Sequence, residues 1–183
     1  MPESSLSEGA RLFAARMALG AYREAARIKE EFGLPNDMLQ EPVRQAYEAN
    51  IRKGDYSIAA DLAKQYDLPD HLRIDAALRS FRRKIDSEHF RAAAEYAREF
   101  GLPEEDVREA AVQAFNKSMS FGLFKNAAEI AREFELPSKM QRDAAVQAFE
   151  QHMKSGLYRK ALNIARKYEL PDEMVAAAER KIS

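Results

Sequence analysis

The sequence predicts an all-α protein: a right-handed α-solenoid of five helix-turn-helix repeats plus a C-terminal capping helix, spanning residues 1–183 as one domain. Three observations predict it. Leu-Pro occurs at 34–35, 68–69, 102–103, 136–137 and 170–171, always 34 residues apart. Three aromatic columns keep the same period: Phe13, Tyr47, Phe81, Phe115, Phe149; then Tyr22, Tyr56, Phe90, Phe124, Tyr158; then Phe32, Tyr66, Phe100, Phe134, Tyr168. The stretches 97–115 and 131–149 agree at 13 of 19 positions. Several columns on one period of this length mark stacked supersecondary units, none of which can bury its apolar face alone.

The first unit, about 3–35, opens with Ser5 and Glu8 at capping-box spacing, which starts its first helix there. Gly20 ends that helix, as a left-handed C-terminal residue does most cheaply. A shorter second helix carries Tyr22, Ala25 and Phe32 up to Leu34-Pro35. The second unit, 36–69, repeats this with Gly54, Tyr56, Ala59 and Tyr66. In the third, 70–103, Glu88 stands in the glycine column. A left-handed residue with a side chain costs about 1–2 kcal/mol. Either Glu88 bears that strain, or Asp86 or Ser87 rebuilds the turn by capping the next helix. The fourth unit, 104–137, is the clearest. Pro103 stands at the helix start, followed by Glu104, Glu105 and Asp106, acids favoured in a first turn. Val107, Ala111, Phe115 and Met119 then form one apolar stripe, and Gly122 ends the helix. The fifth unit, 138–171, copies it. The remaining helix, 172–183, has no partner after it, and Glu179, Arg180 and Lys181 give it the polar outer face a terminal unit needs. The total is eleven helices.

The composition excludes several classes. A formal net charge of −1 does not advertise for nucleic acid or an anionic membrane. Cysteine is absent, which removes disulfides, thiolate nucleophiles and zinc–thiolate sites. The opening MPESSLSEG has neither the basic nor the apolar region of a secretory signal. No apolar run approaches the ~20 residues of a membrane span. The expected location is cytoplasmic, with no cofactor, no metal and no membrane.

At the turns, four units read GAYREA (20–25), GDYSIA (54–59), GLFKNA (122–127) and GLYRKA (156–161). Gly-x-aromatic-x-x-Ala between two helices, within a 34-residue period, resembles the tetratricopeptide repeat. The first helices lack that family's Trp and Leu-Gly, and the proline arrives sooner after the turn. The resemblance implies a concave surface, lined mainly by first helices, that binds peptides or protein segments.

His71, His89 and His152 share no column and lack ligand-like spacing, so they read as surface histidines. Glu41, Asp75, Glu109 and Asp143 form a carboxylate column. Each lies four residues before Gln45, Arg79, Gln113 or Gln147, on one helix face, which favours pairing over acid–base catalysis. No phosphate loop or nucleophile elbow is present, so the chain is expected not to be an enzyme. The column Arg11, Gln45, Arg79, Gln113, Gln147 places one polar reader per repeat, the arrangement by which some helical repeats read single-stranded RNA. Beside it the positions vary: Glu48, Arg82, Asn116, Glu150 and Ala49, Arg83, Lys117, Gln151. RSFRRK, residues 79–84, puts a local basic cluster on the third unit. Arginines on a rigid helix suit carboxylates or phosphates. Reversing Arg82 and Arg83 is therefore expected to weaken a ligand without destabilising the fold.

The sequence thus supports a non-enzymatic protein- or peptide-binding scaffold, possible acidic segments included among its ligands, with Gln45, Arg79, Arg82, Arg83, Gln113, Asn116 and Gln147 as candidate ligand-binding residues. Single-stranded RNA is the alternative partner, and an engineered repeat protein without an evolved ligand is a third reading. Either a monomer or end-to-end self-association fits.

Overall fold

The structure, a computed structural model, describes residues 2–182, with side chains from Ser5 onward. The described residues form eleven α-helices and no strand: α1 (Pro2–Ala18), α2 (Tyr22–Phe32), α3 (Asn36–Lys53), α4 (Tyr56–Gln65), α5 (Asp70–Asp86), α6 (Phe90–Phe100), α7 (Glu104–Ser120), α8 (Phe124–Glu133), α9 (Ser138–Lys154), α10 (Tyr158–Lys167) and α11 (Asp172–Ile182). From α3 on, every helix of one kind starts 34 residues after the last, as the columns require. One start differs from expectation. Helix α1 begins at Pro2, a turn before Ser5, so Ser5 and Glu8 lie inside the helix and do not cap it. Proline is well suited to that first position, because a first-turn N–H has no helical acceptor to lose.

Two columns of left-handed residues punctuate the chain. The first helix of each hairpin ends at Gly20, Gly54, Glu88, Gly122 or Gly156, all with positive φ. Glu88 bears the strain, at φ 56, and the turn is not rebuilt: His89 makes no side-chain cap to α6, and its N–H donates to the Lys84 carbonyl at 2.8 Å. The second helices end the same way at Gly33, Asp67, Gly101, Glu135 and Glu169. There the leucine of each Leu-Pro closes the helix. The N–H groups of Leu34, Leu68, Leu102, Leu136 and Leu170 each reach back five residues to a helix carbonyl at 2.8–2.9 Å, and each side chain is buried. That is the bond pattern and apolar contact of a left-handed C-terminal motif. The proline after it is extended and outside the helix, as at Pro35 (φ −73, ψ 150). Its carbonyl accepts from the new helix, Asp106 N–H donating to the Pro103 carbonyl at 3.0 Å.

The chain divides into two compact units, up to Arg83 and from Lys84 on. In the first, α1 packs on α2 and α3, and α3 on α4. Phe13, Tyr47 and Tyr66 are buried there, and Phe13 meets Tyr66 edge-on with ring centroids 5.6 Å apart. Helices α1 and α2 approach so closely at Gly9 that an added Cβ would lie 2.6 Å from the Phe32 ring. In the second, α6 packs on α7, α7 on α8, α8 on α9, α9 on α10 and α10 on α11. Ala93, Ala127 and Ala161 are fully buried where these helices meet, with Phe100, Phe115 and Phe149 between them. The turn aromatics Tyr56, Phe90, Phe124 and Tyr158 stay half-buried, which leaves their rings available to neighbours.

Candidate functional site

Three members of the carboxylate column pair with the polar column along their own helices. Gln45 Nε2 donates to Glu41 Oε1 at 2.8 Å on α3, and Gln113 Nε2 to Glu109 Oε1 at 3.3 Å on α7. Arg79 forms an ion pair with Asp75 at 3.0 Å on α5, and its Nε–H donation to that carboxylate pushes the guanidinium pKa up further. Asp75 also acts on Tyr47: burial, then that carboxylate, raises the phenol pKa, while its O–H donates to the Leu72 carbonyl at 2.9 Å. Gln147 is half-buried on α9, four residues after Asp143. These acids fix side-chain geometry on a helix face.

The basic cluster is dismantled by its surroundings. Arg79 is taken by Asp75. Lys84 Nζ lies 4.9 Å from the Tyr96 ring centroid. Arg83 turns back onto the preceding hairpin, donating to the Gly54 carbonyl at 2.7 Å with its guanidinium 5.5 Å from the Tyr56 ring centroid. This geometry recurs. Lys117 donates to the Glu88 carbonyl at 3.1 Å, pairs with the Glu88 carboxylate at 2.9 Å and sits 5.5 Å from the Phe90 centroid. Gln151 Nε2 donates to the Gly122 carbonyl at 3.1 Å. In all three, donor and acceptor are 29 residues apart, and the acceptor is the left-handed residue of the previous turn. Orphan carbonyls at a helix end seek such donors. Arg83 is therefore a clamp between hairpins, and its reversal would remove that contact, so a loss of stability is the outcome to expect. Arg82 and Asn116 are exposed and remain open to a ligand.

Two grooves involve first helices. In the first compact unit a groove of about 520 Å³ runs between α3 and the start of α5. Its floor includes Tyr47 and Leu68, and Met38, Glu41, Arg44, Glu48 and His71 stand around it. In the second, about 620 Å³ opens between Arg98, Val107, Arg108 and the loop at 133–137. A different set of pockets follows the turns: about 150 Å³ at 54–58, 300 Å³ at 88–92 and 400 Å³ at 156–160. The middle one is bordered by Phe121 and Leu123, which are 70% and 55% exposed.

Periodicity alone concealed those residues, since it assigns aromatics to the core. The available signal was the column Leu19, Lys53, Ser87, Phe121, Ser155, in which three of five residues are polar, as a covered core position would not be. His71 and His89 are exposed; His152 is half-buried, its pKa lowered first by burial and then by Lys160 and Lys125. Among the described residues no cluster of three or more His, Asp or Glu could hold a metal, and no helix is long and apolar enough to cross a membrane. Comparison with protein-family models, curated proteins and solved structures gives no match.

Proposed function

We propose that the chain is a non-enzymatic scaffold that binds peptides or protein segments on the faces of its first helices, in the manner of tetratricopeptide-like repeats. The groove between α3 and α5 carries this reading: about 520 Å³, with a buried aromatic floor and a rim of mixed charge. Met38, an exposed apolar side chain at its edge, offers an adaptable contact. Glu41, Arg44 and Glu48 offer orientation-fixing polar groups. Gln45 donates to Glu41 at 2.8 Å, and Arg44 and Arg52 lie 3.9 and 4.0 Å from the Glu48 carboxylate. The carboxylates of Asp37, Glu41 and Glu48 around the same groove repel a phosphate backbone, which favours peptide over single-stranded RNA.

The test is selection of a random peptide display library on the protein. Enriched peptides should lose binding on Met38→Lys and Arg44→Glu variants that retain wild-type circular dichroism. Titration with unstructured RNA at low salt should give no saturable binding. Peptides indifferent to both substitutions would remove the groove from the proposal, and saturable RNA binding would replace it.

A further inference from the structure

A second surface lies on the turn edge of the fourth and fifth hairpins, within the second compact unit. Phe121 and Leu123 are large, apolar and mostly exposed. One turn further on, Leu157 is 41% exposed beside its own pocket. Single exposed apolar residues are ordinary on a surface. These three line two concavities on the turns of neighbouring hairpins. The pocket of about 300 Å³ beside Phe121 has a floor of Ala114 and Ile130, both buried, and a wall of Phe90. Phe121 itself is not folded into it, so the pocket stays open to a side chain from outside.

The two turns belong to one edge. Gln151, at the end of α9, donates to the carbonyl of Gly122 between Phe121 and Leu123. His152 feels both Lys125 from the fourth hairpin and Lys160 from the fifth. A lysine from each hairpin thus acts on the one imidazole. Lys125 is partly offset by Glu129 at 3.8 Å. Lys154, Arg159 and Lys160 are exposed, and among the described residues no acid pairs with them. An edge with apolar anchors, open pockets and unpaired cations is complementary to a ligand with apolar side chains and carboxylates.

We propose that Phe121, Leu123 and Leu157, with Lys154, Arg159 and Lys160, form an interaction surface for an acidic amphipathic segment of another protein. One apolar side chain of the segment fills the pocket under Phe121, a second lies against Leu157, and flanking carboxylates meet the three cations. Anchors in desolvated pockets supply most of the affinity, while rim charges set association rate and partner choice. The concave pocket favours a protein segment over an anionic membrane, whose flat surface would leave the cavity unfilled. This surface is independent of the groove between α3 and α5, which lies in the other compact unit.

A display library of helical peptides, with one face randomised among apolar residues and the other among Asp, Glu, Lys, Arg, Ser and Gln, tests it. Selection on the wild-type protein should enrich peptides with carboxylates beside a Phe, Leu or Met anchor. A selected peptide, synthesised and titrated by fluorescence anisotropy, should lose on the order of tenfold in affinity on Phe121→Ser. It should lose a similar factor on Lys154→Glu/Lys160→Glu, with binding that weakens as salt rises. Melting temperatures should stay near wild type, because every substituted side chain is exposed. A consensus lacking acids overturns the proposal, as do binders unaffected by Phe121→Ser. Binders lost only on Met38→Lys belong to the α3–α5 groove and also count against it. Vesicles containing phosphatidylserine serve as a further arm: Phe121-dependent co-sedimentation without peptide enrichment would assign the edge to membranes instead.

Discussion

Replacing Arg83 by Ala removes one complete clamp and nothing from the core. The guanidinium donates to the Gly54 carbonyl at 2.7 Å and lies 5.5 Å from the Tyr56 centroid. A hydrogen bond to a charged group is worth roughly 1.5–3 kcal/mol net, and this one is exposed, so the lower end applies. A cation over an exposed ring adds about 0.5–1 kcal/mol. Holding a long side chain in one geometry offsets part of the sum, by up to ~2 kcal/mol for a fully ordered arginine. The expected loss is therefore about 1 kcal/mol. With a urea slope of about 2–3 kcal/mol/M for a chain of this length, the midpoint falls by roughly 0.3–0.5 M. Arg82→Ala is the control: one residue away, exposed and outside the clamp, it should stay within about 0.5 kcal/mol of wild type. Urea melts followed by far-UV circular dichroism measure both. Coincident midpoints for the two variants would show that the contact to Gly54 contributes nothing and that the basic cluster is a plain solvated face.

Phe115, 6% exposed, should lose about 3–5 kcal/mol on Phe115→Ala, read from the same melts. At Glu135, φ is 50; Glu135→Gly should stabilise, since relief of left-handed strain, about 1–2 kcal/mol, exceeds the extra unfolded-state freedom of glycine, about 0.5–1 kcal/mol. Glu88→Gly should gain less, because it also gives up the ion pair with Lys117; a larger gain at 88 than at 135 would show that pair to be unimportant. The His152 pKa is lowered by burial, Lys160 and Lys125, so the unfolded chain binds its proton first as pH falls. Stability should then drop below the ordinary histidine pKa of about 6.5, and His152→Gln should flatten that part of the profile in melts between pH 7 and 5.

The helix count was legible because glycine and Leu-Pro punctuate the chain at positions where backbone geometry tolerates few substitutes. The second left-handed column was half-hidden: Gly33 and Gly101 announce it, but Asp67, Glu135 and Glu169 fill it elsewhere. Pairing of Gln45 with Glu41 followed from four-residue spacing, a local rule. The clamps did not, because Arg83, Lys117 and Gln151 share no residue type, only the ability to donate across 29 residues. Phe121 escaped because a periodic pattern records where an aromatic lies in the repeat and says nothing of whether a neighbour covers it. The groove between α3 and α5 needed the same tertiary information, since its floor and rim come from residues more than twenty apart.

The clamp and the period together bear on how such a gene changes over generations. The near-identical stretches 97–115 and 131–149 offer two aligned stretches for unequal crossing-over, which gains or loses exchange units of 34 residues. Loss of 97–130 would join Tyr96 to Ala131 and set Gln151 opposite the carbonyl of Glu88, an acceptor of the same column as the Gly122 it had lost. The 29-residue spacing of the clamp is kept, whereas Arg91 would meet Lys160 and Lys167 where it now meets Asn126 and Glu133. An exchange of that kind would change the number of hairpins in whole steps while keeping each clamp donor 29 residues from its acceptor.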